Sequence, residues 1–372
     1  MFLEEVYSKY SFQTAIEAVQ SRNLGDVEQA LNKACYSEKL SFGDYLSLIS
    51  PLADSFLENM AELAHDLTLK RFGKTIQLFM PLYLSNECRS SCVYCGFSYE
   101  NKIPRKTLHY DELEKEAEIL KSQGLEHVLI LTGEAYSKTP VSYIAECTRI
   151  LRKHFSSIAI EIYPMDIDRY KTLIEAGVDG LTLYQETYDP DTYKEYHLRG
   201  MKKNMEYRLN APDRGGMAGF RKISLGTLLG LSHPLGELFF LGLHLQYMYK
   251  TYWKTFLQAS LPRMRPAKGG FQKVVPVSDR EFLRFILALR LMFPDLGLTL
   301  STRETPDLRD NLVGLGITSF SAGSKTEPGG YQGSGALEQF EIEDKRRLEE
   351  VIEMIRSKGY DPVIKDFDRA LL

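Results

Sequence analysis

From residue 75 onward the sequence alternates short apolar runs with amphipathic segments, and this alternation restricts the fold more than any other feature. The apolar runs are "TIQLFMPLYL" at 75–84, "HVLILTG" at 127–133, "SIAIEIY" at 157–163, "VDGLTLYQE" at 178–186, "KISLGTLLG" at 222–230, "FLQASLPRM" at 256–264, "LGLTLST" at 296–302 and "ITSFSAG" at 317–323. Between them lie segments of helical period such as "YDELEKEAEILKSQG", "DIDRYKTLIEAG" and "SDREFLRFILALRLMF". Strand-like runs interleaved with helices are the pattern of successive βα units and a parallel sheet. Eight such units, over roughly the 250 residues typical of the fold, predict an α/β chain built as a (β/α)8 TIM barrel across 75–340. A doubly wound open sheet is the alternative, because periodicity does not reveal closure.

Residues 1–74 carry apolar positions at helical spacing, with Ser41 placed as an N-cap and Gly73 as a stop, and are expected to form a helical extension that adds a packing layer. Residues 341–372 are expected to form an amphipathic helix ended by Gly359 and a short tail packed on the barrel. The turn-rich "TEPGGYQGSGA" is read as a surface loop. A net charge of −4 supplies no global basic field, so nucleic acid is not an expected partner. The longest apolar stretch, "LFFLGLHLQYMY", is too short and interrupted to span a bilayer, and no signal segment opens the chain, so a cytoplasmic protein away from membranes is expected.

Of five cysteines, Cys88, Cys92 and Cys95 fall within eight residues, in the loop after the first strand run, whereas Cys35 and Cys147 sit alone in helical contexts. A tight triplet in a reducing compartment points to metal or redox chemistry rather than a disulfide framework. Structural zinc wants four converging ligands, and His109 is the nearest downstream histidine able to act as a fourth. Thiolates also hold iron–sulfur clusters, and three of them on a four-iron cube leave one iron open for a small molecule.

The spacing C-x3-C-x2-C, with Tyr94 before the last cysteine, resembles the signature of the radical S-adenosylmethionine (SAM) superfamily. "PLYLSNECRSSCVYCGFS", "LTGE", "YQETYDPDTYKEYHLRG", "YRLNAPDR", "SLPRMRPAKGG", "LSTRETPDLRD" and "SAGSKTEPGGY" resemble, in order, the aromatic amino acid lyase branch and most of all its 2-iminoacetate synthase (tyrosine lyase, ThiH) family. The resemblance implies one 4Fe-4S cluster on Cys88, Cys92 and Cys95, with SAM chelating the open iron. It places Thr132, Gly133 and Glu134 beside the SAM amino group, with glycine allowing close backbone approach. It pairs Glu186 with Arg208 on SAM and sets Tyr94 near adenine; a surface ion pair is the plain reading of Glu186 and Arg208. For the amino acid substrate it assigns Arg303 to the carboxylate, with Ser321 and Tyr83 beside it. A guanidinium suits that role because its planar fork makes two parallel bonds to a carboxylate.

The resemblance implies cleavage of the Cα–Cβ bond of L-tyrosine to 2-iminoacetate (dehydroglycine) and p-cresol, for the thiamine thiazole, with tryptophan as the alternative substrate. No cysteine follows Cys147, so the sequence offers no second set of cluster ligands, and the reaction is expected to stop at dehydroglycine. A biotin-synthase-like sulfur inserter would need such ligands, and a non-catalytic zinc scaffold is the alternative from another class. Flavodoxin or ferredoxin is the expected electron donor, with Arg89, Lys102, Arg105 and Lys106 as a local basic patch, and thiazole synthase is the expected recipient of the unstable product.

Overall fold

A computed structural model describes residues 1–365. Eight parallel strands follow the eight apolar runs: β1 (Thr75–Ser85), β2 (His127–Thr132), β3 (Ser157–Glu161), β4 (Gly180–Thr182), β5 (Lys222–Gly226), β6 (Phe256–Ser260), β7 (Gly297–Leu300) and β8 (Ser319–Ser321). They pair in chain order, and β8 returns to β1 through Gln77↔Ser319, Leu78↔Phe320 and Phe79↔Ser321, which closes the barrel and rules out the open sheet. A ninth strand, β9 (Asp361–Val363), adds in parallel to the start of β1. The tail beyond residue 365, expected to pack on the barrel, lies outside the described residues.

The helix Pro234–Thr251 explains the long apolar stretch. Fourteen of its residues are buried, because one side faces β5 and β6 while the other carries the N-terminal helices. A helix apolar all round is one covered all round. Gly236 and Gly242 make that cover possible: a Cβ at either would come within 2.4 Å of the Phe12 or Tyr45 ring. The helices Phe42–Ile49 and Leu57–Phe72 pack on Asp279–Met292, whose buried Arg284 donates to the Ile49 carbonyl at 3.2 Å. The first residues are tied in as well, with Phe2 fully buried, its ring stacked on His244 at 4.1 Å and its N–H donated to Asp213. Ser41 caps its helix by accepting from the Asp44 N–H, and Gly73 ends the fourth long helix at φ 64°. Among the described residues no helix is long and apolar enough to cross a membrane.

The stretch 326–335 is not a simple surface loop. Thr326 and Pro328–Gly330 are buried, the Tyr331 hydroxyl donates to the Pro81 carbonyl of β1 at 2.7 Å, and Gln332 N–H binds Glu116 at 2.7 Å. Only its tip, 332–335, is exposed. Its turn formers serve tight local geometry, with Gly329 and Gly333 at positive φ.

Candidate active site

The chemistry-bearing residues gather where barrel enzymes place them, at the C-terminal ends of the strands. β1 carries Tyr83 and, past a register shift between Tyr83 and Ser85, delivers the cysteine loop. That loop is folded by its own backbone and by one side chain: Arg105 donates to the carbonyls of Asn86, Phe97, Ser98 and Asn101 at 2.7–3.1 Å. A two-residue ribbon pairs Ser91 and Cys92 with Arg199 and His197. Cys88, Cys92 and Cys95 then line one cavity of about 620 Å³. Burial pushes the Cys88 thiol up to about 11 and Cys92 well above the ordinary thiol range, with Lys202 opposing the latter. Metal loading must displace those protons.

Gly133 is required for a reason the sequence did not reveal. A Cβ there would sit 2.4 Å from the Glu87 carbonyl and 3.0 Å from the Cys88 Cβ, so the cysteine loop itself packs onto this glycine. Beside it, Ser90 Oγ and the Lys202 N–H fix one Glu134 oxygen at 2.6 and 3.0 Å, while the other oxygen, 3.9 Å from Arg208, and Thr132 Oγ1 are buried without a hydrogen-bond partner among the described residues. A carboxylate oxygen and a hydroxyl that lack hydrogen-bond partners line one cavity and suit a ligand carrying donors, since buried polar atoms are ordinarily paired.

Opposite them, Glu186 stands at φ 74°, a strained conformation for a side-chain-bearing residue. Its carbonyl is held by Thr227 Oγ1 and Leu228 N–H, both at 2.8 Å, and buried Glu237 braces the turn through Thr187, Thr227 and the Tyr188 N–H. Lys202 Nζ at 2.7 Å and Arg208 at 3.1 Å reach the same Glu186 oxygen. Burial opposes ionisation of Glu186, but the two cations outweigh it and hold the carboxyl at about 2. The Glu186–Arg208 pair is therefore buried rather than a surface salt bridge, and Lys202 is its third member. Tyr94 donates to His197 Nε2 at 2.8 Å; burial draws that imidazole down to about 3, which keeps it a neutral acceptor.

A second cavity, of about 1000 Å³, continues toward β6, β7 and β8. Arg303 lines it with its guanidinium over the Phe340 ring at 3.4 Å. Among the described residues no carboxylate lies within ion-pair distance, and burial lowers its pKa. Ser321 Oγ accepts the Thr302 N–H at 3.1 Å, leaving its own hydrogen for the cavity. Tyr83 donates to Gln339 Oε1 at 2.7 Å, and Gln339 Nε2 in turn reaches Cys95 Sγ at 3.6 Å. Gln339 was invisible in sequence because it joins β1 from 256 residues away. Arg263 and Arg265 are spent in ion pairs with Glu304, Asp279 and Glu343.

Gly96 lets the Thr326–Phe340 strap, which carries Gln339, lie on the cysteine loop, because a Cβ would meet the Gln339 carbonyl at 2.4 Å. Gly96→Ala is expected to destabilise the fold by ~1–3 kcal/mol, as overpacking against backbone does, measurable by anaerobic denaturant unfolding. A variant as stable as the parent would show that the strap can shift.

The radical SAM superfamily matches residues 82–237, and the Biotin and Thiamin Synthesis associated domain matches 260–361. The 2-iminoacetate synthase of Salmonella typhimurium strain LT2 is 41% identical over 352 residues, covering 94% of this chain and 92% of that protein. The 2-iminoacetate synthase of Escherichia coli K12 is 40% identical over 355 residues, covering 95% and 93%. The chain belongs to the 2-iminoacetate synthase family. The solved structure of the FeFe-hydrogenase maturase HydG from Carboxydothermus hydrogenoformans superimposes with a TM-score of 0.90 at 32% identity, covering 98% of this chain and 86% of that one.

As a radical SAM protein, a 2-iminoacetate synthase family member uses a 4Fe-4S cluster and SAM. The residues present fit both. The donor set is three free cysteines on one cavity, and Glu134 and Thr132, each with an oxygen lacking a hydrogen-bond partner among the described residues, line the same space. A single zinc ion fits less well: among the described residues no three His, Cys, Asp or Glu side chains converge on one ion position, and His109 is exposed at the start of a helix. A cube spreads its thiolates over separate irons and needs no such convergence.

Proposed function

We propose that this chain cleaves the Cα–Cβ bond of L-tyrosine to 2-iminoacetate and p-cresol, converting SAM to 5′-deoxyadenosine and methionine, in the formation of the thiamine thiazole. The observation that carries this reading is the continuity of the two cavities, because Tyr83, Cys95, Glu161 and Gln339 line both. When bound, the cluster and SAM supply the 5′-deoxyadenosyl radical that takes a hydrogen atom from the substrate amino group. Everything else is positioning. Cys88, Cys92 and Cys95 hold the cluster. Glu134 and Thr132 accept from the SAM ammonium, and Arg208, whose second terminal nitrogen is 3.9 Å from the nearer Glu134 oxygen, is free to fork onto the SAM carboxylate. Lys202 fixes Glu186 on that side, and Tyr94 flanks the adenine.

Arg303 binds the tyrosine carboxylate, with Ser321 donating and Tyr83 walling the site. Holding a carboxylate two bonds from the reacting nitrogen keeps that nitrogen within near-attack reach, on the order of 3–3.5 Å. The barrel wall and the Thr326–Phe340 strap exclude water and competing hydrogen donors.

Lys106 is paired with Glu112 at 2.8 Å, whereas Arg105, bound to loop carbonyls, keeps its charge beside the cysteine loop. Arg89, Lys102 and Arg199 remain exposed near the cysteine loop and suit an acidic flavodoxin or ferredoxin in the cytoplasm. Thiazole synthase is the proposed acceptor of the short-lived imine. The deciding experiment is anaerobic incubation of reconstituted protein with SAM, dithionite and tyrosine. p-Cresol, 5′-deoxyadenosine and glyoxylate from the hydrolysed imine are expected in equal amounts; turnover of tryptophan to indole products in their place would overturn the assignment.

A further inference from the structure

One ionisable group at the junction of the two cavities has no task in the scheme above. Glu161 is the last residue of β3, and its side chain lines both the cysteine cavity and the Arg303 cavity. The other carboxylate lining both is Glu186, which is committed to Lys202 and Arg208. Among the described residues Glu161 makes neither a hydrogen bond nor an ion pair. Its charged and titratable surroundings come from every side: Tyr83 of β1, Tyr184 and Glu186 after β4, Lys202 and Arg208 from the following segment, and Arg303 after β7. Burial and Glu186 push its carboxyl up, Arg303, Arg208 and Lys202 pull it back, and the balance falls at about 7.

An α-amino acid enters as the zwitterion. With its carboxylate on Arg303, its ammonium faces the junction, yet a nitrogen must shed a proton before it can yield a hydrogen atom as a neutral amine. We infer that Glu161 is the base that takes this proton from the bound amino acid. The step moves one proton from –NH3+ to –COO−, giving –NH2 and –COOH, and transfers no electrons. It rests on the lyase reading above. A carboxyl that titrates near neutrality is suited to it, because a base is most useful when it is ionised before the encounter and still able to hold the proton afterwards. Arg303 and Glu161 then read the two ends of the amino acid backbone, so the site selects free α-amino acids and not N-acylated ones.

Glu161→Gln keeps the shape and removes the basicity. p-Cresol formation is expected to fall about 10²–10⁴-fold at neutral pH, the usual worth of a positioned base. Calorimetric tyrosine binding to the cluster-loaded, SAM-bound protein should stay within about tenfold of the parent. Rate should climb in the variant only as pH approaches the ammonium pKa of tyrosine itself, whereas the parent rises through about 7. Glu161→Asp, with a shortened base, should lie between the two, and cluster absorbance reports whether each variant is folded. A folded Glu161→Gln variant with parental turnover, or one whose loss is the same at every pH, would overturn the inference. A parent protein that makes no p-cresol would instead sink the tyrosine reading.

Discussion

Cys92→Ala is expected to yield a protein without the brown colour of its cluster and without SAM cleavage. In the proposed assignment the three thiolates hold the cube, and Cys92 is the most deeply placed of them, 4% exposed and pinned by its ribbon partner His197. Two remaining thiolates leave two irons without protein ligands, so iron should fall from about four per chain toward zero after anaerobic reconstitution. The fold should survive, because the alanine replaces a small buried side chain whose neighbours are held by Arg105 and by the ribbon. Retention of a normal cluster would mean that another residue supplies the third ligand.

Arg303→Ala should separate substrate binding from radical generation. Two charge-assisted bonds to the tyrosine carboxylate are worth roughly 3–5 kcal/mol together, so kcat/KM for tyrosine should drop by about 10²–10⁴-fold. The cluster and slow tyrosine-independent SAM cleavage should remain. Stability gives an independent check. Arg303 is a half-buried cation stacked on Phe340 with no carboxylate within ion-pair distance among the described residues, so removing it relieves part of a desolvation cost, and the melting temperature should hold or rise. A fall in stability and cluster content alongside activity would assign the residue to the scaffold.

The barrel was legible because each strand run is bounded by turn formers and followed by a helical period, and the cysteines were legible because three thiols at one strand end have few uses. Closure was not: it depends on the β8–β1 pairing between residues more than 240 apart. Glu161 was hidden for a local reason. In "SIAIEIY" it reads as one polar position of an alternating strand, and only the barrel geometry shows that such a position at the mouth faces the cavity. Lys202 and Gln339 were hidden because the partners that give them meaning, Glu186, Tyr83 and Cys95, come from other parts of the chain. The "TEPGGYQGSGA" loop misled because turn composition reports backbone shape and says nothing of what the loop covers.

The glycine notches that receive Phe12 and Tyr45 also set a timetable for synthesis. Their receiving helix, Pro234–Thr251, leaves the ribosome about 200 residues after the segments that dock on it. At ~5–20 residues per second that is a wait of roughly 10–50 s. Throughout it the amphipathic start of the chain has an oily side and nowhere to put it, so the nascent chain is a natural client for a ribosome-proximal chaperone.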